Sequence, residues 1–211
     1  MSKVLSELHF LPCVGIFQHY AKADEIVLEA QENYQKGSYR NRCHIIGANG
    51  LQRLSIPLAS GKNNQLNIQQ VQISDQQDWA RQHWQSIRSA YGNAPFYFYY
   101  SDQLEQEIRS PGTNLWEYNL RLLKTIFSLL QWDKTVTLSE TYEEVSIPAD
   151  TDIRNCYRPK AFQTEQTFSW PNYSQVFQER HGFVGNLSIL DLLFCLGPQA
   201  NLYLSAEITS Q

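Results

Sequence analysis

The segment VLSELHFLPCVGIFQHYAKADEIVLEA, residues 4–30, decides the fold class. Residues 4–11 are largely apolar and end at Pro12, which predicts a first strand followed by a turn. Residues 14–22 place apolar side chains on one helical face, and residues 25–30 predict a second strand. A strand, a helix and a strand in this order begin a Rossmann-like parallel sheet. Ligands of such sheets bind beyond the carboxyl ends of the strands.

The remaining pattern predicts a single α/β domain over residues 1–211. Two β-rich runs flank Asn49-Gly50, which favours a tight turn and therefore a β-hairpin. Further strands are predicted at 68–73 and 136–138, and helices at 75–90, 104–108, 114–130, 173–180 and 187–196. The expected architecture is a Rossmann-like, partly parallel sheet with an added β-hairpin and flanking helices.

Composition excludes several classes of protein. Apolar residues make up 42% and charged residues 18% of the 211 residues, as in globular proteins. A net charge of −4 argues against a general nucleic-acid binder. The four cysteines form no Cys-x-x-Cys pair, so neither a metal site nor a disulfide framework is expected. No stretch approaches the roughly 20 apolar residues of a membrane span, and no signal peptide is recognised, so we expect a cytoplasmic protein.

A basic loop follows the second predicted strand and is the first candidate binding site. Lys36, Arg40, Asn41 and Arg42 lie within seven residues of one another. Arginine binds a phosphate or carboxylate through two parallel hydrogen bonds, and lysine binds it as a point charge. We therefore expect at least two of the three cations to line the rim of the main pocket, with Asn41. The alternatives are a solvated loop, or an Arg40 that pairs structurally with Glu29 or Glu32.

A second basic group, a histidine and a cysteine are the further candidates that the sequence offers. Arg154, Arg158 and Lys160 form a second basic group that could contact the same ligand, although mixed surface charge is ordinary. His83 is the candidate catalytic residue because its pKa could lie near neutrality, although a histidine on an apolar stripe is more often structural. Cys43 is interpreted as structural, because the basic side chains beside it on a strand point to the opposite face. No Walker A, Gly-x-Gly-x-x-Gly, His-Glu-x-x-His or Gly-x-Ser-x-Gly motif occurs.

Several segments spread along the chain resemble the WbqC-like family. They are LPCVGIF (11–17), YQKGSYRNR (34–42), LSIPL (54–58), HW (83–84), PF (95–96) and NLSILDLLF (186–194). The chain departs from the family where Leu8-His9-Phe10 replaces a common Gln-Pro start, and it has only residues 140–166 where longer relatives carry more sequence. The opening also resembles nucleotidyltransferase-like adenylating enzymes, but Val14-Gly15-Ile16-Phe17 lacks their pair of phosphate-binding histidines.

The resemblance implies a role in the assembly of bacterial surface polysaccharides. The expected function is a transferase in O-antigen-type precursor biosynthesis, in its specific form acyl or aminoacyl transfer to an amino sugar. The expected ligand is an anionic small molecule, such as a nucleotide or nucleotide sugar, and no cofactor is assigned. The alternative is a non-catalytic anion-binding or scaffold protein. A deep pocket at the basic loop favours the enzyme, and a flat apolar patch favours the scaffold.

Overall fold

The computed structural model describes residues 2–59, 66–75, 78–142, 151–162 and 170–206. In chain order the elements are β1 (Lys3–Ser6), α1 (Val14–Lys22), β2 (Glu25–Leu28), β3 (Arg42–Gly47), β4 (Gly50–Ser55), α2 (Trp79–Tyr91), α3 (Tyr97–Ile108), α4 (Leu115–Leu129), β5 (Thr135–Leu138), α5 (Gln178–His181), α6 (Ile189–Leu196) and α7 (Ala200–Ser205). Short 3-10 helices lie at Tyr39–Asn41, Ile68–Gln70, Pro159–Ala161 and Gly197–Gln199.

A three-stranded parallel sheet in the order β1-β2-β5 organises the fold. β1 and β2 are parallel neighbours connected through α1, so the predicted Rossmann-like start is confirmed. A parallel bridge between Leu5 and Asp152 extends the sheet beyond β1. The Leu5 N–H donates to the Thr151 carbonyl, and the Leu5 carbonyl accepts from the Ile153 N–H. This bridge brings the segment after residue 151 to the edge where β1 ends.

The predicted β-hairpin is formed by β3 and β4. The two strands are antiparallel and Gly47 pairs with Gly50 across a two-residue turn. Gly50 has a φ of 103°, which L side chains rarely adopt, so glycine at this position permits the tight connection.

The helical elements confirm some predicted boundaries and correct others. α4 begins as predicted, because the Asn114 side chain accepts a hydrogen bond from the Glu117 N–H at 3.0 Å. The predicted strand at 68–73 is wrong: Ile68–Gln70 is a 3-10 helix capped by the Asn67 side chain. α2 begins at Trp79 and not at residue 75, and the predicted helix at 173–180 is a single turn at Gln178–His181. The short helix predicted at 104–108 is the end of a longer helix, α3, which begins at Tyr97.

One apolar core joins α1 to the other helices. α1 packs against α6 and α7. The residues of α6 from Ile189 to Cys195 are all buried, and all of them except Asp191 are apolar. Phe17 of α1 and Phe194 of α6 are fully buried in this core. Among the described residues, no helix is both long and apolar enough to cross a lipid bilayer. Polar side chains lie outside this core, at the carboxyl ends of the parallel strands.

Candidate functional site

Each strand of the parallel sheet is followed directly by a polar residue at the same edge. Glu7 follows β1, Glu29 follows β2 and Ser139 follows β5. Glu29 accepts a hydrogen bond from the Ser139 hydroxyl at 2.6 Å and from the Arg154 guanidinium at 2.8 Å. This edge is where parallel α/β sheets bind their ligands.

A buried ionic network lies behind this edge. Arg40 is fully buried; its Nε donates to Glu32 at 2.7 Å and its Nη2 donates to the second oxygen of the same carboxylate. Glu7 lies 4.0 Å from Arg40 Nη1 and bonds to His9 at 2.9 Å. The Asn155 N–H also donates to Glu7, at 3.0 Å. Burial alone would raise the pKa of Glu7, but His9 and Arg40 outweigh burial and hold that pKa at about 2.

A cavity of about 150 Å³ opens above Arg40. We call it the cationic cavity. One wall is formed by Gln35, Lys36, Gly37, Ser38 and Arg40, and the other by Asn155, Tyr157, Arg158 and Lys160. Four of these residues are cations and none is a carboxylate, although the whole chain is acidic. Glu32 neutralises Arg40, whereas Arg158 and Lys160 form no ion pair with any described carboxylate.

The cationic cavity brings together only part of the predicted site. Lys36, Arg40 and Arg158 line it, as does Lys160 from the second basic group. Asn41, Arg42 and Arg154 are not in its walls. Asn41 is buried and donates from its side-chain nitrogen to the Ile56 carbonyl at 2.9 Å.

The two remaining arginines have other environments. Arg42 begins β3, and its pKa is lowered by burial and by the nearby charge of Arg53. Arg154 pairs with Asp152 at 2.7 Å and with Glu29 at 2.8 Å, and hydrogen bonding to Asp152 raises its pKa. Two carboxylates therefore compensate the charge of Arg154.

His83 lies apart from the cavity wall, inside the core. Its ring packs against Trp79, with centroids 5.1 Å apart, and against Phe10 at 5.9 Å. Burial lowers the pKa of His83 to about 4, so its ring is neutral at pH 7. Cys43 is also buried on β3, and burial raises its pKa, which is unfavourable for a nucleophile. In the part of the chain with described positions, no group of three or more metal-ligating side chains is assembled.

Comparison with known proteins places the chain in a family. The sequence model of the WbqC-like protein family matches residues 8–156. The chain belongs to the WbqC-like protein family. It is also 28% identical over 227 residues to the uncharacterized protein Rv1507c of Mycobacterium tuberculosis (strain ATCC 25618 / H37Rv), covering 97% of this chain and 98% of that protein. No solved structure matches.

In this WbqC-like chain, Tyr157 covers the beginning of α1. A Cβ atom on Gly15 would lie 2.6 Å from the Tyr157 ring, so a larger residue there would require the ring to move. The Gly15 N–H donates to the Asn186 side chain at 2.8 Å, and the Val14 N–H donates to the Leu187 carbonyl at 2.9 Å. These N–H groups bind protein atoms in the WbqC-like fold, so the resemblance to adenylating enzymes does not extend to a phosphate site here.

Sequence analysis missed the residues that complete the site. Tyr157 lines the cavity and its hydroxyl lies 3.3 Å from Nε2 of His19. Burial and the charge of Lys22 lower the pKa of His19. Glu7 carried a usable signal, because it directly follows a parallel strand. Tyr157 carried none, because its position depends on the distant bridge between Leu5 and Asp152.

Proposed function

We propose that this chain binds the phosphate of an activated, anionic sugar precursor in the cationic cavity and acts on it as a transferase. The observation that carries the proposal is a cavity with four cationic residues and no carboxylate, at the carboxyl edge of a parallel sheet. The resemblance to proteins of surface-polysaccharide loci supports the choice of an O-antigen-type pathway.

The size of the cationic cavity limits what enters it. Its volume of about 150 Å³ is below the roughly 300–1,000 Å³ of a site for a drug-sized ligand. A phosphate group fits this space, and the rest of a nucleotide or nucleotide sugar would extend outside it. Arg158 supplies a planar donor pair, and Lys36 and Lys160 supply point charges.

The finer form of the proposal is acyl or aminoacyl transfer to an amino sugar. The sugar amine attacks the carbonyl carbon of an activated donor, the donor's leaving group departs, and the amine nitrogen loses a proton to a base. Tyr157, backed by His19, is the proton-transfer group in the cavity wall. His83, the catalytic residue expected from the sequence, would have to transfer a proton from a position within the core.

The burial of His83 favours a second candidate, a non-catalytic protein that binds an anion or a nucleotide sugar. Mass spectrometry separates the two candidates. We expect a mixture of uridine diphosphate amino sugar, activated acyl or aminoacyl donor and protein to yield the acylated sugar, and Tyr157→Phe to slow its formation. If the protein binds the sugar nucleotide but forms no product with either an acyl or an aminoacyl donor, the non-catalytic candidate is supported.

Removing one exposed cation from the cationic cavity should weaken the binding of inorganic phosphate. We expect Arg158→Ala and Lys160→Ala each to lower the affinity about tenfold, because each removes one charge-assisted interaction worth roughly 1.5 kcal/mol. Both side chains are exposed, so the melting temperature should change little. Isothermal titration calorimetry at low and at moderate salt measures the affinity.

The matched control is Lys124→Ala, which removes the same charge from an exposed site on α4. Affinity for phosphate should be unchanged in this variant. Equal weakening in all three variants would assign the effect to overall charge and would refute the site, as would a wild-type protein that binds no phosphate.

A further inference from the structure

We propose that a second groove beside the cationic cavity binds the neutral, polyhydroxylated sugar ring of the same ligand. We call it the polar groove; it is lined by Gln31, Glu32, Asn33, Tyr34, Gln35 and Tyr142. Its volume is about 370 Å³, within the range of small-molecule sites. The inference rests on the proposed function, because it assumes that a phosphate occupies the cationic cavity.

The polar groove and the cationic cavity are neighbours and have one lining residue, Gln35, in common. Residues 31–40 form a continuous loop along one side, and Gln35 lines both spaces. Arg40 lines the cavity while its ion-pair partner Glu32 lines the groove, so this pair lies at the boundary. On the other side, the Arg154 guanidinium lies over the Tyr142 ring, and the cavity wall begins at the next residue, Asn155.

The two spaces differ in charge. The polar groove contains no cation, and its one carboxylate, Glu32, is paired with Arg40, whereas the cationic cavity contains further cations and no carboxylate. No lining side chain of the groove would compensate a second anionic group of the ligand. The side-chain amides of Gln31, Asn33 and Gln35 supply both donors and acceptors, which match the hydroxyl groups of a sugar. A ligand with one phosphate and one neutral polar ring fits this distribution of charge.

Tyr142 offers an aromatic surface to such a ring. Its side chain is 49% exposed, and the Arg154 guanidinium carbon lies 5.1 Å from the ring centroid. Asp152 and Glu29 fix Arg154, which therefore supports one face of Tyr142. The face of an aromatic ring is partly negative, so the polarised C–H groups of a sugar pack against it favourably.

Calorimetry with three small probes tests the polar groove. The probes are inorganic phosphate, glucose 1-phosphate and uridine 5′-monophosphate, each titrated into the wild type, Tyr142→Ala and Tyr99→Ala. Tyr99 is the matched control because it is 80% exposed on α3 and lines neither space. We expect the wild type to bind glucose 1-phosphate about tenfold more tightly than phosphate, a gain of about 1.4 kcal/mol. Tyr142→Ala should remove most of this gain and leave phosphate affinity unchanged, while Tyr99→Ala should retain it.

Each other outcome overturns a defined part of the argument. If phosphate binds but glucose 1-phosphate binds no more tightly, or if Tyr142→Ala leaves the gain intact, the sugar site is refuted and the cationic cavity stands. If only uridine 5′-monophosphate gains affinity, the groove binds a nucleobase and the sugar assignment is wrong. If Tyr142→Ala also weakens the binding of inorganic phosphate, the groove is not a site separate from the cationic cavity. If phosphate does not bind at all, the proposed function and this inference fail together.

Discussion

Replacing Arg40 with alanine should lower the free energy of unfolding by about 3–5 kcal/mol, the usual cost of removing one partner from a buried ion pair. Arg40 is fully buried, and its guanidinium holds both oxygens of Glu32, which is itself 3% exposed. Without Arg40, the Glu32 carboxylate stays in the interior close to Glu7 with no cation to compensate it. Denaturant unfolding at pH 7 measures the loss.

Two comparisons make this expectation specific. Arg81→Ala breaks an exposed ion pair with Asp78 and should cost at most about 1 kcal/mol. The double variant Arg40→Ala with Glu32→Ala should lose less stability than the sum of the two single changes, because it leaves no unpaired carboxylate at that position. A change below about 1 kcal/mol in Arg40→Ala, together with a large loss of phosphate affinity, would contradict the structural role.

This expectation revises one drawn from the sequence. The density of cations in the basic loop predicts that Arg40 binds a ligand and that its replacement affects affinity alone. The loop contributes Lys36 and Arg40 to the wall of the cationic cavity. Its composition does not show that Arg40 faces inward, since burial depends on packing between distant segments. The alternative drawn from the sequence is a structural pairing of Arg40 with Glu29 or Glu32, and Glu32 is the partner in the structure.

Local patterns also explain which elements were predicted. The parallel pair, the β-hairpin and the start of α4 depend on neighbouring residues, and all three are confirmed. At 68–73 the alternation of apolar residues resembles a strand, but the Asn67 side chain accepts a hydrogen bond from the Gln69 N–H and stabilises a 3-10 turn. At these residues a local side-chain hydrogen bond determines the backbone conformation, and the apolar periodicity does not.

The second half of the site lies beyond local patterns. Asn155, Tyr157 and Lys160 reach the basic loop only because residues 151–153 pair with β1, more than a hundred residues earlier. No spacing in the sequence encodes that pairing. For His83, the apolar stripe of its helix already favours a core position, and in the structure its ring packs against Trp79 and Phe10.

Replacing Asp191 with asparagine should change how stability depends on pH. Asp191 is fully buried near the start of α6 and accepts hydrogen bonds from the Tyr173 hydroxyl at 2.5 Å and from the Gln175 amide at 2.8 Å. Burial raises the pKa of Asp191 to about 6, although Tyr173, Gln175 and Tyr91 oppose the shift. The sequence pattern Ser188-x-x-Asp191 resembles a helix cap, and Ser188 alone caps α6, through its bond from the Leu190 N–H.

The direction of the effect follows from the two pKa values. Because the pKa of Asp191 is higher in the folded state than in the unfolded chain, the folded state retains a proton that the unfolded state releases. Stability is therefore lost as pH rises from about 4 through about 6, and the full penalty is roughly 3 kcal/mol at pH 8. Asparagine cannot ionise, so the variant should gain on the wild type by about 1.5 kcal/mol between pH 5 and pH 8.

Denaturant unfolding of both proteins across this pH range measures the difference between their free energies of unfolding. The titration of all other groups contributes equally to both proteins and cancels in this difference. Asp133→Asn, at an exposed position after α4, is the control and should follow the wild-type curve at every pH. A constant difference between Asp191→Asn and the wild type would mean that Asp191 keeps its charge through this range. The tyrosine and glutamine donors would then stabilise the buried carboxylate fully, and the advantage of the variant would have to come from packing alone.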